Sequence, residues 1–444
     1  MVKTAPETAI ETATKTIDDF IETFKYRLKN PFICAAAVFA LLVYAKILRV
    51  VPSASYKSLL PLENTICVWG SVGSNPTKVS SGKSYVFKLN ADGASGMVSG
   101  KSISASSQGK LSVLVPAATV EALYPGKRFS ASRFSSNERL LFETGQRVKL
   151  WGKVKGDLFI TEEAKPLPAR AGILSRLSSV RALCRLSFKR LMYDWGRAGG
   201  FILALLSGSR EYTEKTLSEV FRRAGLLHIL ALSGMHLSIF ASFSGGIASR
   251  LLGRRFQRGI SLLGIVFFAW FAGLSPSLFR ALLFSLVLFC CKAVFCSCVD
   301  RLAVLSFVFL LHSSLAPQDI FSLSFILSYG CLAGILIFSP LFAFLLNKVF
   351  PKTPAQALAS SAAAQTASFP LSLVFFGAAA PVGVISSAVI SPLAEVFLKF
   401  SIVAIVISLV SPPCAVFFAQ AVNLFYSVIK GLASFFASAP MLAM

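Results

Sequence analysis

Histidine is nearly missing from this chain: only His228, His236 and His312 occur in 444 residues. No H-x-H-x-D-H, HExxH or Cys/His group at zinc spacing can be assembled from them, so we expect no metal site and no metallohydrolase module. Phosphate-cradling loops are missing too. Without G-x-x-x-x-G-K-[ST], or G-x-G-x-x-G opening a helix, the chain has no recognisable ATP or dinucleotide site, and no cofactor is expected. Acidic residues are scarce, 20 Asp and Glu against 44 Lys and Arg, which leaves a net charge of +24. Charged residues of both signs make up only 14% of a chain that is 55% hydrophobic, with a mean hydropathy of +0.69. Lipid is the expected solvent, and an anionic partner is expected with it, either lipid headgroups or nucleic acid.

The nine cysteines are dispersed. Most lie in apolar runs and read as small hydrophobes; Cys67 and Cys184 fall in the polar part, where they could pair in an oxidising compartment or remain free thiols.

Polar and apolar character divides the chain. Residues 1–30 form a charge-mixed segment ending in Lys25, Arg27 and Lys29, and residues 31–51 approach the length of a membrane anchor. From 57 to 168, alternating runs (TICVWGSV, YVFKLN, LSVLVP, RFSASRF, QRVKLWGKV, DLFITEE) predict a small β-barrel resembling the oligonucleotide/oligosaccharide-binding (OB) kind. Its cations and rings, among them Trp69, Lys127, Arg128, Arg147, Lys149 and Trp151, suit single-strand binding, although solvation and barrel filling would use the same residue types. Residues 169–197 predict a basic amphipathic linker helix at the membrane surface. Residues 198–444 are apolar runs, read as nine or ten spans, with breaks at Ser275-Pro276, Ser339-Pro340, Ser391-Pro392 and Ser411-Pro412. The basic residues before 31 and the cluster Arg250, Arg254, Arg255, Arg258 should be cytoplasmic, which places the 57–168 domain outside. The expected fold is a polytopic α-helical membrane protein with an N-terminal anchor helix and a small extracytoplasmic OB-like β-barrel.

Polar residues concentrate in one apolar stretch. His228 and His236 would lie about 80° apart on a continuous helix, with Ser233-Gly234 between them as a kink. Buried histidines satisfied by backbone carbonyls would look the same.

The segment G-L-L-H-I-L-A-L-S-G-M-H-L (225–237) resembles the signature of the ComEC-type competence proteins, bacterial inner-membrane channels for incoming single-stranded DNA. In order after it, F-A-G-L-S-P-S-L-F-R-A (271–281), D-I-F-S-L-S-F-I-L-S-Y-G (319–330) and A-A-A-Q-T-A-S-F-P-L-S-L-V-F-F-G (362–377) resemble further motifs of that family. The chain departs from the pattern at Ser209, where an acidic residue is common, and at Ser386 and Ser387, where Asn is common. It also shows no ligand set for the metallo-β-lactamase-like domain of longer members, so a separate nuclease, or no strand degradation, is expected.

The resemblance implies a non-enzymatic channel for single-stranded DNA in natural transformation, at the bacterial cytoplasmic membrane. Its DNA pathway would run near His228, Ser233, Gly234, His236, Pro276, Arg280 and Ser324. Expected partners are single-stranded DNA, membrane lipids, a DNA-delivery protein, a cytoplasmic motor and a separate nuclease, and an oligomer is compatible. Two alternatives stay open: an ion-coupled small-molecule transporter using Glu395, Lys399 and Asp319, and a membrane hydrolase using Ser233 and His236.

Overall fold

Alternating apolar and polar residues in the first third, and long apolar runs after it, produce two kinds of architecture. The computed structural model describes residues 18–48, 56–58, 60–79, 82–98, 101–121, 142–169, 172–210, 213–294, 299–411 and 413–443. Lys127, Arg128, the RFSASRF segment and Pro412 lie outside them.

The amino-terminal helices α1 (Asp18–Leu28) and α2 (Pro31–Tyr44) meet at a bend of 80°. Asn30 caps α2 through its side chain, and the Pro31 ring pre-sets the first turn. The expected single anchor over 31–51 is therefore shorter. Its helix ends at Tyr44, whose hydroxyl donates to the Ile320 carbonyl at 3.0 Å.

A small sheet domain follows, with β1 (Lys57–Ser58), β2 (Thr65–Val72), β3 (Thr77–Lys78), β4 (Ser84–Val98), β5 (Lys101–Gln108), β6 (Lys110–Pro116), α3 (Ala117–Glu121), β7 (Arg147–Lys155) and β8 (Leu158–Pro166). The strand order is β1-β5-β4-β2-β7-β8-β6, with β3 on β4. All pairings are antiparallel except β6 with β8. This corrects the expected closed barrel. At 15 residues β4 is too long for one partner, so its first half pairs β6 while its second half continues onto β5, and β1 ends the order among the described strands. Val68, Tyr85, Phe87, Leu89, Val113, Leu150 and Phe159 fill the inner face.

The rest of the chain is helical: α4 (Ile173–Asp194), α5 (Gly196–Ser207), α6 (Lys215–Arg223), α7 (Leu227–Leu230), α8 (Gly234–Leu251), α9 (Arg254–Ala272), α10 (Pro276–Val294), α11 (Arg301–Leu315), α12 (Leu323–Leu346), α13 (Lys352–Phe376), α14 (Gly383–Val410) and α15 (Cys414–Ala437). A short ribbon of β9 (Ala378–Ala379) and β10 (Leu442–Ala443) closes the end. Among the described residues, α12, α14 and α15 are long and apolar enough to cross a membrane. Against the nine or ten spans expected, length and composition give these three among the described residues, or four if the bent α1–α2 pair is one span; α5 and α11 are shorter than a bilayer needs and α9 opens on Arg254, Arg255 and Arg258. Pro276 does start a helix, but Pro340 and Pro392 run inside α12 and α14. One missing amide removes one ladder bond, and the surrounding turns keep the helix continuous.

Two apolar cores organise these helices. One gathers residues of α4 to α10 with α14 and α15; the other gathers α2, α10, α11 and α12. Leu278 and Ala281 of α10 belong to the first core and Leu283 to the second, so α10 forms the seam between them.

Helix α4 keeps Phe188 and Leu191 of the expected apolar face buried and departs from the pattern elsewhere. Its early apolar residues Ile173, Leu174, Leu177 and Val180 are exposed, while Arg185 and Lys189 are buried. Arg185 reaches three structural units at once: Glu143 before β7 at 2.7 Å, the Phe271 and Ala272 carbonyls of α9 at 3.0 and 3.1 Å, and the Ser207 carbonyl of α5 at 3.5 Å. Lys189 Nζ lies 2.6 Å from the other Glu143 oxygen. A buried charge set of this kind ties the sheet domain to the helical part.

Candidate functional site

The apolar run from 226 to 248 breaks before it becomes one helix. Gly225 takes a left-handed φ of 73° and α7 runs only from Leu227 to Leu230. Ala231 and Ser233 are extended, and α8 restarts at Gly234. His228 and His236 consequently sit on two helices and not on one face of a single helix, which corrects the 80° expectation.

Ser233 caps α8, and His236 at the third helical position returns the contact, forming a capping box. The Ser233 backbone N–H donates to His236 Nδ1 at 3.1 Å, and Ser233 Oγ lies 3.2 Å from the same nitrogen. A backbone amide can only donate, so Nδ1 is unprotonated and the neutral ring carries its proton on Nε2. The His236 side chain is fully buried, stacks parallel to Phe268 with centroids 6.3 Å apart, and leaves Nε2 without a partner among the described residues. His228 is exposed.

The other motifs close around this break. Ser277 Oγ in the first turn of α10 donates to the Leu232 carbonyl at 2.5 Å, which satisfies a group freed by the break. One turn on, Arg280 is 8% exposed, donates to the Ser328 carbonyl of α12 at 2.6 Å, and has no partner for Nε among the described residues. A Cβ placed on Gly234 would stand 3.7 Å from Arg280 Nη2, so the guanidinium lies over the start of α8. On the opposite side, Ser386 of α14 donates to the Ala224 carbonyl at 2.6 Å, and Gly225 packs on Gly383, beside Gln365. Segments 225–237, 271–281, 319–330 and 362–377, far apart in sequence, thus share one region.

Pro276 opens α10 at the edge of this region, whereas Ser324 is exposed in the first turn of α12. Ser209, the departure from the usual acidic residue, is buried and within 3.4 Å of Arg185 Nη2. Glu395 and Lys399 pair with each other at 2.7 Å on half-exposed ground.

Sequence reading missed a second polar cluster. His312 is fully buried, with Nδ1 3.2 Å from the Tyr329 hydroxyl and Nε2 3.4 Å from Asp319. Phe279 and Phe325 pack edge-on against its ring. Separations of 7 and 17 residues across a helix end leave no periodic signal; the isolated Asp319 before a polar-flanked helix start was the only hint.

In the sheet domain, Trp69 pairs across strands with Lys149, and Cys67 with Trp151. Val148 and Leu150 point inward, so Lys149 and Trp151 face out. Lys149 Nζ lies 5.8 Å from the Trp69 ring centre and 5.1 Å from that of Trp151, and Lys165 Nζ lies 5.1 Å from Trp151. The result is an outward stripe of alternating rings and ammonium groups. Arg147 stands apart from it, paired with Asp92 at 3.1 Å. Cys67 and Cys184 are free thiols, the first buried in the sheet and the second exposed on α4. Among the described residues no group of three or more His, Cys, Asp or Glu could hold a metal ion.

A protein of Aquifex aeolicus described as uncharacterized is 27% identical over 66% of this chain and 67% of its own length. ComE operon protein 3 of Bacillus subtilis is 29% identical over 32% of this chain, and the uncharacterized protein YcaI of Escherichia coli 28% identical over 27%. The matches span only 18% and 17% of those two proteins. No solved structure matches the chain. The family model described as Competence protein matches residues 205–444, from the end of α5 through the break, the seam and the last helices, and the chain belongs to that family.

Proposed function

We propose that this chain is a channel for single-stranded DNA, carrying one strand across the bacterial cytoplasmic membrane during natural transformation. Membership of the Competence family supports a role in competence and DNA uptake. The observation that carries the finer reading is Arg280, a buried cation on the seam between two apolar cores, with no carboxylate among the described residues within ion-pair distance. Burying an unpaired charge costs several kcal/mol, so a polyanion moving along the seam gives it a use.

The sheet domain supports the same reading. Its β2-β4-β6-β8-β7 pairings, with β6 and β8 parallel, resemble a partly open OB sheet, and its outward Trp69–Lys149–Trp151 stripe combines charge with stacking surface. It would face outside, given Lys25, Arg27 and Lys29 ahead of α2 and the basic α8–α9 turn. The exposed apolar start of α4 would rest on lipid. The channel is not an enzyme on this reading: His236 Nδ1 is engaged by the Ser233 backbone, which makes the pair a helix cap and not a nucleophile awaiting a base. A delivery protein, a cytoplasmic motor and a nuclease would be separate chains.

Deleting the gene in a transformable host and following labelled DNA tests the proposal. Loss of DNase-protected uptake into the cytoplasm is expected; uptake at the parental level contradicts it.

A further inference from the structure

We infer that the start of α8 and the Arg280 side chain form a binding site for a single phosphodiester group of the DNA backbone; this rests on the strand-channel reading above. Ser233 Oγ satisfies the His236 amide, but the Gly234 and Met235 amides find no acceptor among the described residues. An 18-residue helix presents the positive end of its dipole there, together with those two donors. Arg280 points a second positive group at the same place. Its side chain is buried, uses Nη1 on the Ser328 carbonyl, and leaves a solvent-closed Nε without a partner among the described residues. Two positive elements facing one another repel unless an anion lies between them, and no side chain among the described residues supplies one.

Size and position select the anion. Gly234 has no side chain, and a methyl group there would stand 3.7 Å from Arg280 Nη2, so the space beside the helix start is open to a ligand oxygen. Two backbone donors and a guanidinium edge suit the tetrahedral oxygens of phosphate. The site lies on the seam between the two helical cores, not on an outward face, which favours a threaded strand over a lipid headgroup. Recognition of phosphate alone also suits a conduit, because it carries no base preference.

The test uses the purified full chain in a maltoside detergent and a fluorescent 20-nucleotide abasic strand, which offers phosphates without stacking bases. Affinity is read against salt concentration. Arg280→Gln is expected to weaken binding on the order of tenfold and to lower the salt slope by about 0.7, the value of one phosphate contact on a single strand. Arg280→Lys should recover part of the loss. Gly234→Ala fills the space without disturbing its neighbours and should weaken binding while thermal stability stays at the parental value. Unchanged affinity and slope in both Arg280→Gln and Gly234→Ala overturn the site. Competition by dihexanoyl phosphatidylglycerol without competition by unlabelled abasic strand overturns it in favour of lipid. If the parental chain binds no strand while gene deletion still abolishes uptake, the site falls and the channel reading stands; if deletion leaves uptake intact, the reading falls with it.

Discussion

Glu143 Oε2 accepts a hydrogen bond from Arg185 Nε at 2.7 Å in a place closed to solvent on both sides. With Lys189 on the other carboxylate oxygen, this contact joins the sheet domain to the helix that leads into the competence region. Burial opposes the Glu143 charge, yet Arg185 and Lys189 outweigh it and hold the carboxyl down at about 2, against an ordinary 4.5. A depressed carboxyl adds stability that is complete above its ordinary value and fades as pH falls from about 4.5 towards 2. Thermal unfolding of the detergent-solubilised protein should show that loss. Glu143→Gln leaves two buried cations uncompensated and should cost about 3–5 kcal/mol at neutral pH, with the difference from the parent shrinking at acid pH.

Glycine positions around the break should separate sharply. Gly225 combines a left-handed φ of 73° with a Cβ direction that meets Gly383 Cα at 2.7 Å, so Gly225→Ala should lose roughly 2 kcal/mol or more. Gly431, inside α15 with open space around it, should tolerate alanine and gain up to about 1 kcal/mol. Membrane protein levels and thermal midpoints measure both.

Ser233→Ala removes the cap of α8 and should cost about 1 kcal/mol, whereas Ser233→Asp retains an acceptor for the His236 amide and should recover most of it. His236→Gln keeps a capping box of the Ser-x-x-Gln type but loses the ring against Phe268. We expect parental protein levels and reduced transformation.

The outward stripe predicts a base-dependent effect. Trp151→Ala should weaken binding of a thymidine oligonucleotide by about 1–3 kcal/mol and leave abasic-strand binding almost unchanged. Lys149→Gln should weaken both and lower the salt slope by about 0.7. Fluorescence anisotropy at several salt concentrations distinguishes the two.

Helix positions in the second half were legible because apolar runs end at glycine, proline or charge: the run 301–315 is α11, and the runs from 320 to 346 and from 381 to 410 end where α12 and α14 end. Strands β2, β6, β7 and β8 were legible from alternation. Strand β5, Lys-Ser-Ile-Ser-Ala-Ser-Ser-Gln, was not, because its small polar residues carry no hydrophobic period and it forms by pairing with the second half of β4. Helical spacing identified α4 but could not say which face turns inward; the buried Arg185 and Lys189 are decided by Glu143, 42 residues before Arg185. Within the site, Ser233, Gly234, His236 and Arg280 were found in sequence and meet in space. His228 and Ser324 instead face outward, and the His312–Asp319–Tyr329 cluster required the fold to bring it together.

Passage of the strand along the α10 seam is tested most directly by photocrosslinking during uptake. A photoreactive phenylalanine analogue in place of Ser277, beside the break, is compared with the same analogue in place of Val406, an outward residue of α14. Labelled DNA halted in transit should crosslink at position 277 and not at 406. Crosslinks of equal yield at both positions, or at 406 alone, would contradict a pathway between the two helical cores.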